Sequence, residues 1–275
     1  MKRPNTRRNL DVAIRRLASS EEESVRLRTT MANAIVAQML PGGVVKGGAA
    51  LKLRYGDAHA RFTTDLDTAR GEDIDLFAEE LGQRLARGWE GFTGRVAPRS
   101  PARPAGVPPE YVMRPFDVKM AYLGKAWCTV ALEVGHNEIG DADEAEWRIS
   151  PDIAEMFAEL GFPKPAPAPL MPLHHQIAQK LHGLSEPGSE RAHDLVDLQL
   201  IMQNETVDLN RVRATCERLF AYRKAHAWPC RVDMGRGWPS MYSDAADGLD
   251  VLQDVSKAIE WANKLVGAIA ASKND

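Results

Sequence analysis

The first forty residues carry apolar side chains at helical spacing, in two groups. Leu10, Ile14 and Leu17 mark the first group, and Met31 and Ile35 mark the second. Between the groups, two serines followed by three glutamates are typical of the start of a helix. The pattern therefore predicts two helices, and a Pro-Gly-Gly sequence ends the second.

The next segment is predicted to form two strands separated by a Gly-Gly turn. Residues 44–46 have the apolar character of a short buried strand and lead directly into the glycines. Polar and apolar side chains then alternate over residues 61–67. This period of two would place Asp65 and Asp67 on one side of a strand, so the two carboxylates are predicted to be neighbours.

A helix and an antiparallel hairpin are predicted to complete the first part of the chain. Residues 77–85 are amphipathic, and the proline-rich residues 98–109 are expected to form a loop. Two β-rich stretches, 116–122 and 126–134, flank a Leu-Gly-Lys turn. The second strand of this hairpin is expected to end at Glu133.

After a second proline-rich stretch, the chain is predicted to be helical. Residues 161–172 contain five prolines and are typical of an extended spacer, so we place a lobe boundary there. Four helices are predicted after it, over residues 174–184, 191–203, 209–226 and 249–271. A glycine-rich connector is predicted at residues 228–242, before the last helix. The predicted fold class is α+β, with a mixed α/β lobe over residues 1–162 that contains a small sheet, and an α-helical lobe over residues 173–275.

The composition excludes a disordered chain and gives no general electrostatic case for nucleic-acid binding. The 275 residues are 44% hydrophobic and 27% charged, with 35 basic against 38 acidic side chains and a net charge of -3. An anionic partner must therefore bind a local patch. The basic first predicted helix is one such patch, although a solvated face explains its arginines equally well.

We expect a cytoplasmic protein that does not associate with a membrane. The three cysteines lack CxxC spacing, which argues against a disulfide framework and against a zinc site. The N-terminus lacks the apolar segment of a signal peptide. The apolar runs fall short of the roughly 20 residues that are needed to span a bilayer.

The carboxylate pair of Asp65 and Asp67 is the first candidate for chemistry. Two acidic side chains at positions i and i+2 of a strand can share divalent cations that also bind phosphate oxygens. Such pairs arise about five times by chance in this composition, so the pair alone also fits a solvated edge strand. Its context favours a metal site, because a glycine pair, Arg61 and Thr63 precede it and apolar residues alternate with it.

Residues before and after this pair could extend such a site. Gly47 and Gly48, next to Lys46, would let backbone amides approach a triphosphate, although a tight turn explains the glycines equally well. Glu133 could complete a two-metal site, or it could be an ordinary surface glutamate.

In the helical lobe, Lys180 has two alternative roles. It could form an ion pair with Asp194 between helices, or it could reach a nucleotide phosphate. Arg191, Asp194 and Asp197 recur at i,i+3 spacing and so share one face of the next helix. The histidines of this lobe follow no zinc pattern, and we assign them packing or surface roles.

Four short motifs follow one another between residues 44 and 203. They are KGGAAL at residues 46–51, RFTTDLD at 61–67, QIAQKLH at 176–182 and RAHDLVDL at 191–198. In this order they resemble the motifs of the AbiEii-like nucleotidyltransferase toxins, the group that includes the MenT toxins. The order makes the resemblance far more specific than any single motif does.

The resemblance implies a two-lobed nucleotidyltransferase fold and an Mg²⁺-dependent enzyme that acts as the toxin of a toxin–antitoxin or phage-defence system. It implies a nucleoside triphosphate as co-substrate and the 3′ end of tRNA as acceptor. Nucleotides added there would block aminoacylation and arrest growth. A cognate antitoxin is the expected protein partner.

The resemblance also implies roles for individual residues. The implied sets are a catalytic set of Asp65, Asp67, Lys180 and Asp194, a nucleotide-binding set of Lys46, Gly47, Gly48, Arg61, Thr63 and Arg191, and a metal-binding set of Asp65, Asp67 and Glu133. Two departures from the family pattern each remove a polar contact. Ala49 replaces a hydroxyl residue, and His193 replaces a lysine.

Two alternative functions are compatible with the sequence. The same metal site would serve nucleotidyl transfer to a protein or to a small-molecule hydroxyl group. A catalytically inactive relative would act only as an RNA- or protein-binding module. The complete carboxylate pair argues against the inactive alternative.

Overall fold

The computed structural model describes residues 2–57, 59–71, 73–101 and 112–272. The chain forms two compact units. The first comprises Met1–Asp57 and Phe62–Met171, and the second comprises Ala58–Arg61 and Pro172–Asp275. From residue 102 onward, the loop predicted over residues 98–109 lies outside the described residues.

The first unit combines helices with one mixed sheet. Its helices are α1 (Arg7–Leu17), α2 (Glu21–Ala37), α3 (Gly47–Tyr55), α4 (Ile74–Arg87) and α5 (Pro151–Glu159). Its strands are β1 (Val44–Lys46), β2 (Leu66–Arg70), β3 (Phe92–Pro98), β4 (Arg114–Tyr122), β5 (Lys125–His136), β6 (Glu146–Arg148) and β7 (Ala168–Leu170).

These strands form a sheet in the order β3-β4-β5-β2-β1-β7-β6. β2 runs parallel to β5 and β1 runs parallel to β7, whereas the other neighbours are antiparallel. Alternation along the strands separates two faces. Val45 and Leu66 belong to the main core, together with residues of α1, α2, α4 and α5. Val44 and Ala69 belong to a small apolar cluster on the opposite face.

The second unit is helical in its described part. Its helices are α6 (Leu173–Ser185), α7 (His193–Asn204), α8 (Leu209–Arg223), α9 (Trp238–Ala246) and α10 (Val255–Ala271). α6 packs against both α7 and α8, and α7 packs against α9. Leu181, Leu195 and Leu198 are fully buried between these helices. Trp238 of α9 is also buried, and its indole N–H donates to the carbonyl oxygen of Ser189 at 2.7 Å.

The α+β class predicted from the sequence is confirmed. The two N-terminal helices, the strand at residues 44–46 and the hairpin of β4 and β5 form as predicted. Side-chain caps explain where the first two helices begin, because Thr6 accepts from the backbone N–H of Asn9 and Ser20 accepts from that of Glu23. Local periodicity and capping signals are therefore sufficient for these elements.

The strand predicted over residues 61–67 is wrong in its bounds. β2 begins at Leu66, and Arg61 to Asp65 precede it as an irregular segment. β1 ends at Lys46, where α3 begins, so residues before Leu66 have no strand partner on that side. Of the two aspartates, Asp67 lies in the sheet and Asp65 directly precedes it.

The proline-rich residues 161–172 are not a spacer. They include β7, whose residues are all buried and which lies between β1 and β6. Pro169 has no N–H group, but the N–H of Met171 donates to the carbonyl oxygen of Val45 at 2.8 Å and continues the strand pairing. A strand of three residues that contains a proline is too short for alternation to reveal.

Other bounds also differ from the prediction, and α10 begins at Val255 rather than at residue 249. β5 continues past Glu133 to His136, because its last residues pair with β2 as far as Arg70. α9 begins at Trp238, within the connector predicted over residues 228–242, and continues to Ala246. Pro239 lies in the first turn of this helix, where its missing N–H group is tolerated.

Candidate active site

Three polar side chains lie side by side in adjacent strands of the first unit. Lys46 of β1 is the antiparallel partner of Asp67 in β2, and Asp67 is the parallel partner of Glu133 in β5. Neighbouring strands are about 4.8 Å apart, and directly paired residues point to the same face. Lys46, Asp67 and Glu133 therefore form one row across three strands, which we call the polar row.

The polar row lies on the face opposite the main core. Its residues alternate with apolar residues such as Leu66 and Leu132, which are buried in that core. Asp65, two residues before Asp67, is exposed and directly precedes β2. Its carboxylate oxygen Oδ1 accepts a hydrogen bond from the hydroxyl group of Thr64 at 3.1 Å.

Negative charge accumulates around Glu133. Partial burial raises the pKa of its carboxyl group, and the carboxylates of Asp67 and Asp65 raise this pKa further. Arg99 and Lys46 act in the opposite direction without cancelling the shift. The three carboxylates are thus close enough to repel one another, and a bound cation would relieve that repulsion.

The donor set fits a hard divalent cation. Carboxylate oxygens are the protein ligands that Mg²⁺ prefers. Within the described ranges, no three side chains of histidine, cysteine, aspartate or glutamate lie close enough together to hold a metal ion. The fit therefore rests on the type of donor and on the charge around Glu133.

Gly47 makes room for the carboxylate of Asp67. It begins α3 with a φ of 65°, in the left-handed region that favours glycine. A Cβ atom at this position would lie 2.7 Å from Oδ2 of Asp67. Gly48 follows it, buried in the first turn of the helix. The glycine pair therefore lets the start of α3 approach the polar row.

The ammonium group of Lys46 extends over β5. A Cβ atom on Gly135 would lie 3.2 Å from Nζ of Lys46, so this glycine leaves space for the lysine side chain. Gly135 lies two residues beyond Glu133 and hence on the same face of the sheet. Lys46 thus places a positive charge beside the carboxylates. Thr63, the remaining residue of this unit that the resemblance assigns to nucleotide binding, is half-buried in the segment before Asp65.

Lys180 forms a buried ion-pair network in the second unit. Its ammonium group donates to Oδ1 of Asp194 at 2.8 Å and to Oδ2 of Asp197 at 2.6 Å. The lysine is 3% exposed, and the two aspartates are 0% and 1% exposed. Of the two alternatives that the sequence left open for Lys180, the ion pair between helices is formed.

Two arginines complete this network. Nε and Nη2 of Arg61 donate to the two carboxylate oxygens of Asp197 at 3.0 and 3.2 Å. Nε of Arg191 donates to Oδ2 of Asp194 at 2.6 Å. Arg61 is largely buried, whereas the Arg191 side chain is half-exposed. We call these five side chains the charge network, and its three cations and two carboxylates leave one net positive charge.

Pairing keeps the carboxylates of the charge network ionised. Burial opposes the ionisation of Asp194 and Asp197, but the neighbouring cations outweigh it and lower the pKa of both carboxyl groups. Burial also opposes the charge on Arg61, yet Asp197 raises the pKa of that guanidinium group. At the start of α7, burial lowers the pKa of His193.

Asp197 is the one member of the charge network to which the sequence motifs assign no role. Its i,i+3 spacing from Asp194 is the only local signal that points to it. Its partner Arg61 lies 136 residues earlier in the chain, and no local pattern predicts such a pairing. The catalytic roles of Lys180 and Asp194 stay predictions.

The fold and sequence of this chain match those of known proteins. A family model described as the nucleotidyl transferase AbiEii toxin of type IV toxin–antitoxin systems matches residues 27–264. Among solved structures, MenT4, a nucleotidyltransferase toxin from Mycobacterium tuberculosis H37Rv, is similar with a TM-score of 0.54 and 16% identity. The match covers 98% of this chain and 100% of MenT4.

A second solved structure, JHP933 from Helicobacter pylori, has a TM-score of 0.46 and 16% identity, over 92% of this chain and 93% of that protein. Comparison with curated protein sequences finds no match. In the described residues, no helix combines the length and apolar character that crossing a membrane requires. Because the family model covers most of the sequence, the chain belongs to the AbiEii family of nucleotidyltransferase toxins.

Proposed function

We propose that this chain is an Mg²⁺-dependent enzyme that transfers nucleotides from a nucleoside triphosphate to the 3′ end of tRNA. The nucleotidyltransferase family and the resemblance of the four motifs support this proposal. The observation that carries it is the polar row, because it combines two carboxylates and a lysine beside a helix that starts with two glycines. Modification of this tRNA end would block aminoacylation and arrest growth.

Asp65, Asp67 and Glu133 would hold the metal. When bound, Mg²⁺ supplies positive charge to phosphate oxygens and lowers the pKa of a hydroxyl group that it contacts. In the reaction, the acceptor oxygen forms a bond to the α-phosphorus. The bond between that phosphorus and the oxygen that joins the α- and β-phosphates breaks. Pyrophosphate leaves with the broken bond, and the hydroxyl proton passes to water.

The start of α3 suits binding of phosphate groups. The first N–H groups of a helix have no partner within the helix and point at an anion bound there. Gly47 and Gly48 expose this backbone without side-chain obstruction, and Lys46 adds a positive charge beside it. We assign these residues, together with Thr63, to binding of the triphosphate.

The charge network provides two guanidinium groups for phosphate oxygens. Arg191 is half-exposed and Arg61 is held in a fixed orientation by Asp197. Both ammonium hydrogen bonds observed for Lys180 go to the aspartates, so we assign Lys180 and Asp194 to positioning of these arginines. A cognate antitoxin is the proposed protein partner, and defence against phage is the proposed biological role.

The test is to incubate purified protein with total tRNA, Mg²⁺ and each of the four α-labelled nucleoside triphosphates. We expect label on tRNA, reduced about a hundredfold or more in Asp67→Ala and in Asp65→Ala. Asp75→Ala is the matched control, because this exposed aspartate lies on α4 outside the site. Folding of each variant is checked by circular dichroism.

Label on a protein or a small molecule instead of tRNA would contradict the proposed acceptor and support the alternative acceptors. Undiminished labelling by the two aspartate variants would contradict the proposed site. Absence of transfer to any acceptor by the folded protein would contradict the proposed function as a whole.

A further inference from the structure

Helix α8 of the second unit concentrates positive charge in a chain that is acidic overall. It carries four arginines and one glutamate, whereas the chain as a whole has a net charge of -3. Arg213 and Arg223 are partly buried, and Arg211 and Arg218 are exposed. An anionic partner that needs a local basic patch could therefore find one on this helix.

Arg211, Arg218 and Tyr222 lie on one line along α8. Their spacing of seven and then four residues returns to the same side of a helix. At a rise of about 1.5 Å per residue, the line is roughly 16 Å long. Tyr222 is 41% exposed, so a large part of its side chain meets solvent. We call these three side chains the arginine–tyrosine face.

The two arginines of this face act on the same neighbour. Nδ1 of His174, at the start of α6, lies 3.0 Å from the hydroxyl oxygen of Thr215 in α8. The positive charges of Arg211 and Arg218 each lower the pKa of this imidazole more strongly than the carboxylate of Asp208 raises it. The two guanidinium groups are therefore close enough to act together, and the acidic N-cap of α8 does not neutralise them.

The exposed side of α8 suits a nucleic acid better than a protein. Protein interfaces have a buried centre of several large apolar side chains. Along α8, all of which the structure describes, Tyr222 is the one large apolar side chain that is exposed. Its exposed neighbours on the helix are charged residues and alanines. Arginines bind phosphate oxygens through several N–H groups, and a tyrosine ring stacks on a base.

We propose that the arginine–tyrosine face binds a single-stranded segment of the RNA acceptor, with Arg211 and Arg218 on phosphate groups and Tyr222 stacked on a base. Bases within a duplex are stacked on one another, so an unpaired segment is what a tyrosine can engage. This inference rests on the proposed function, which brings an RNA to the protein. It assigns an RNA contact to α8 rather than to the basic first helix that the sequence singled out.

The test measures RNA binding by the full chain in the absence of a nucleoside triphosphate. A fluorescently labelled single-stranded oligoribonucleotide of about 12 nucleotides is titrated with protein, and its anisotropy gives the dissociation constant. The titration is repeated at salt concentrations between about 50 and 200 mM. The variants are Arg211→Gln/Arg218→Gln, which removes both charges, and Tyr222→Leu, which removes the ring. Circular dichroism checks that each variant is folded.

We expect Arg211→Gln/Arg218→Gln to weaken RNA binding about tenfold or more at low salt. The slope of log Kd against log salt concentration should fall by about 1.4, because each phosphate contact on a single strand contributes roughly 0.7. Arg95→Gln/Lys119→Gln is the matched control, because it removes two exposed, neighbouring cations from β3 and β4. This control should keep both the affinity and the slope.

The tyrosine has its own test. Tyr222→Leu should weaken RNA binding about tenfold through the loss of stacking on one base, whereas Tyr222→Phe should keep the affinity. Inorganic polyphosphate has phosphate groups and no bases. Its binding should therefore weaken in the arginine variant and stay unchanged in Tyr222→Leu.

An RNA affinity that survives in a folded Arg211→Gln/Arg218→Gln variant, or that falls equally in the control, would overturn the proposal and leave this face to an acidic protein or to solvent. An RNA affinity that does not depend on Tyr222 would overturn the contact to an unpaired base. If tRNA is labelled while the arginine variant still binds RNA, the proposed function stands and this face is not the RNA contact. If this face binds RNA and no transfer occurs, the proposed function fails and the surface assignment stands.

Discussion

Arg61 donates hydrogen bonds to both carboxylate oxygens of Asp197, at 3.0 and 3.2 Å, across 136 residues of sequence. The same carboxylate accepts from Lys180 at 2.6 Å. Asp197 is therefore the shared counter-ion of two buried or largely buried cations. Without Asp197, Arg61 would lose the carboxylate to which it donates, and Lys180 would keep only its hydrogen bond to Asp194.

We expect Asp197→Ala to lower the free energy of unfolding by about 3–5 kcal/mol, because removal of one partner leaves buried charge unpaired. Urea unfolding followed by circular dichroism measures this change. Asp233→Ala is the control, because Asp233 pairs with Arg231 at the surface, where both side chains are mostly exposed. Its effect should stay below about 1 kcal/mol. Equal effects of the two variants would contradict the structural role of Asp197.

The elements that the sequence predicts best are those whose signals are local. α1 and α2 follow from helical spacing and from Thr6 and Ser20 as caps, and the hairpin of β4 and β5 follows from two β-rich runs around a Gly turn. The glycine pair and Asp67 were likewise found from their local pattern. The residues that signal each of these features lie within about twenty-five positions of one another along the chain.

The features that the sequence does not predict depend on distant partners. β7 is a strand only because β1 and β6 lie on its two sides, and its own residues are too few and too rich in proline to show it. The polar row needs the register that pairs Asp67 with Glu133, 66 residues later.

A second prediction concerns Gly47. We expect Gly47→Ala to reduce nucleotide transfer at least tenfold, because its Cβ atom would lie 2.7 Å from Oδ2 of Asp67 and displace that carboxylate. The variant also carries backbone strain, since Gly47 has a φ of 65°. Labelling of acceptor and thermal unfolding are measured on the same preparation.

Gly124→Ala separates these two effects. Gly124 has a φ of 75°, but a Cβ atom there would meet nothing within 4 Å. This control should lose stability through strain and keep its activity. If both variants lose stability equally and both keep full activity, Gly47 does not position Asp67.

A third prediction concerns two like charges on the outer face of the sheet. Arg95 in β3 and Lys119 in β4 are direct cross-strand partners, and both are exposed. We expect Lys119→Glu to raise the free energy of unfolding by about 0.5 kcal/mol, because repulsion becomes attraction. The gain should shrink in high salt. Lys125→Glu, at the start of β5, controls for the change in net charge, and an equal gain there would contradict the pairing argument.

The last prediction is a pH dependence that arises from His174. Thr215 donates its hydroxyl proton to the carbonyl oxygen of Arg211 at 2.8 Å, so its oxygen accepts from Nδ1–H of His174 at 3.0 Å. Burial, together with the positive charges nearby, lowers the pKa of His174 to about 3. The folded protein therefore keeps this ring neutral under mildly acidic conditions.

An unfolded histidine has a pKa of about 6.5, so between this pH and about pH 3 the unfolded chain binds a proton that the folded chain does not. Stability contributed by the neutral ring is complete above pH 6.5 and declines as the pH falls. One proton changes the free energy of unfolding by at most about 1.4 kcal/mol per pH unit. We expect the unfolding temperature to fall less between pH 7 and pH 5 in His174→Gln than in the unchanged protein. His59→Gln, at an exposed histidine, is the control, and a fall in His174→Gln as steep as in this control would contradict the buried neutral ring.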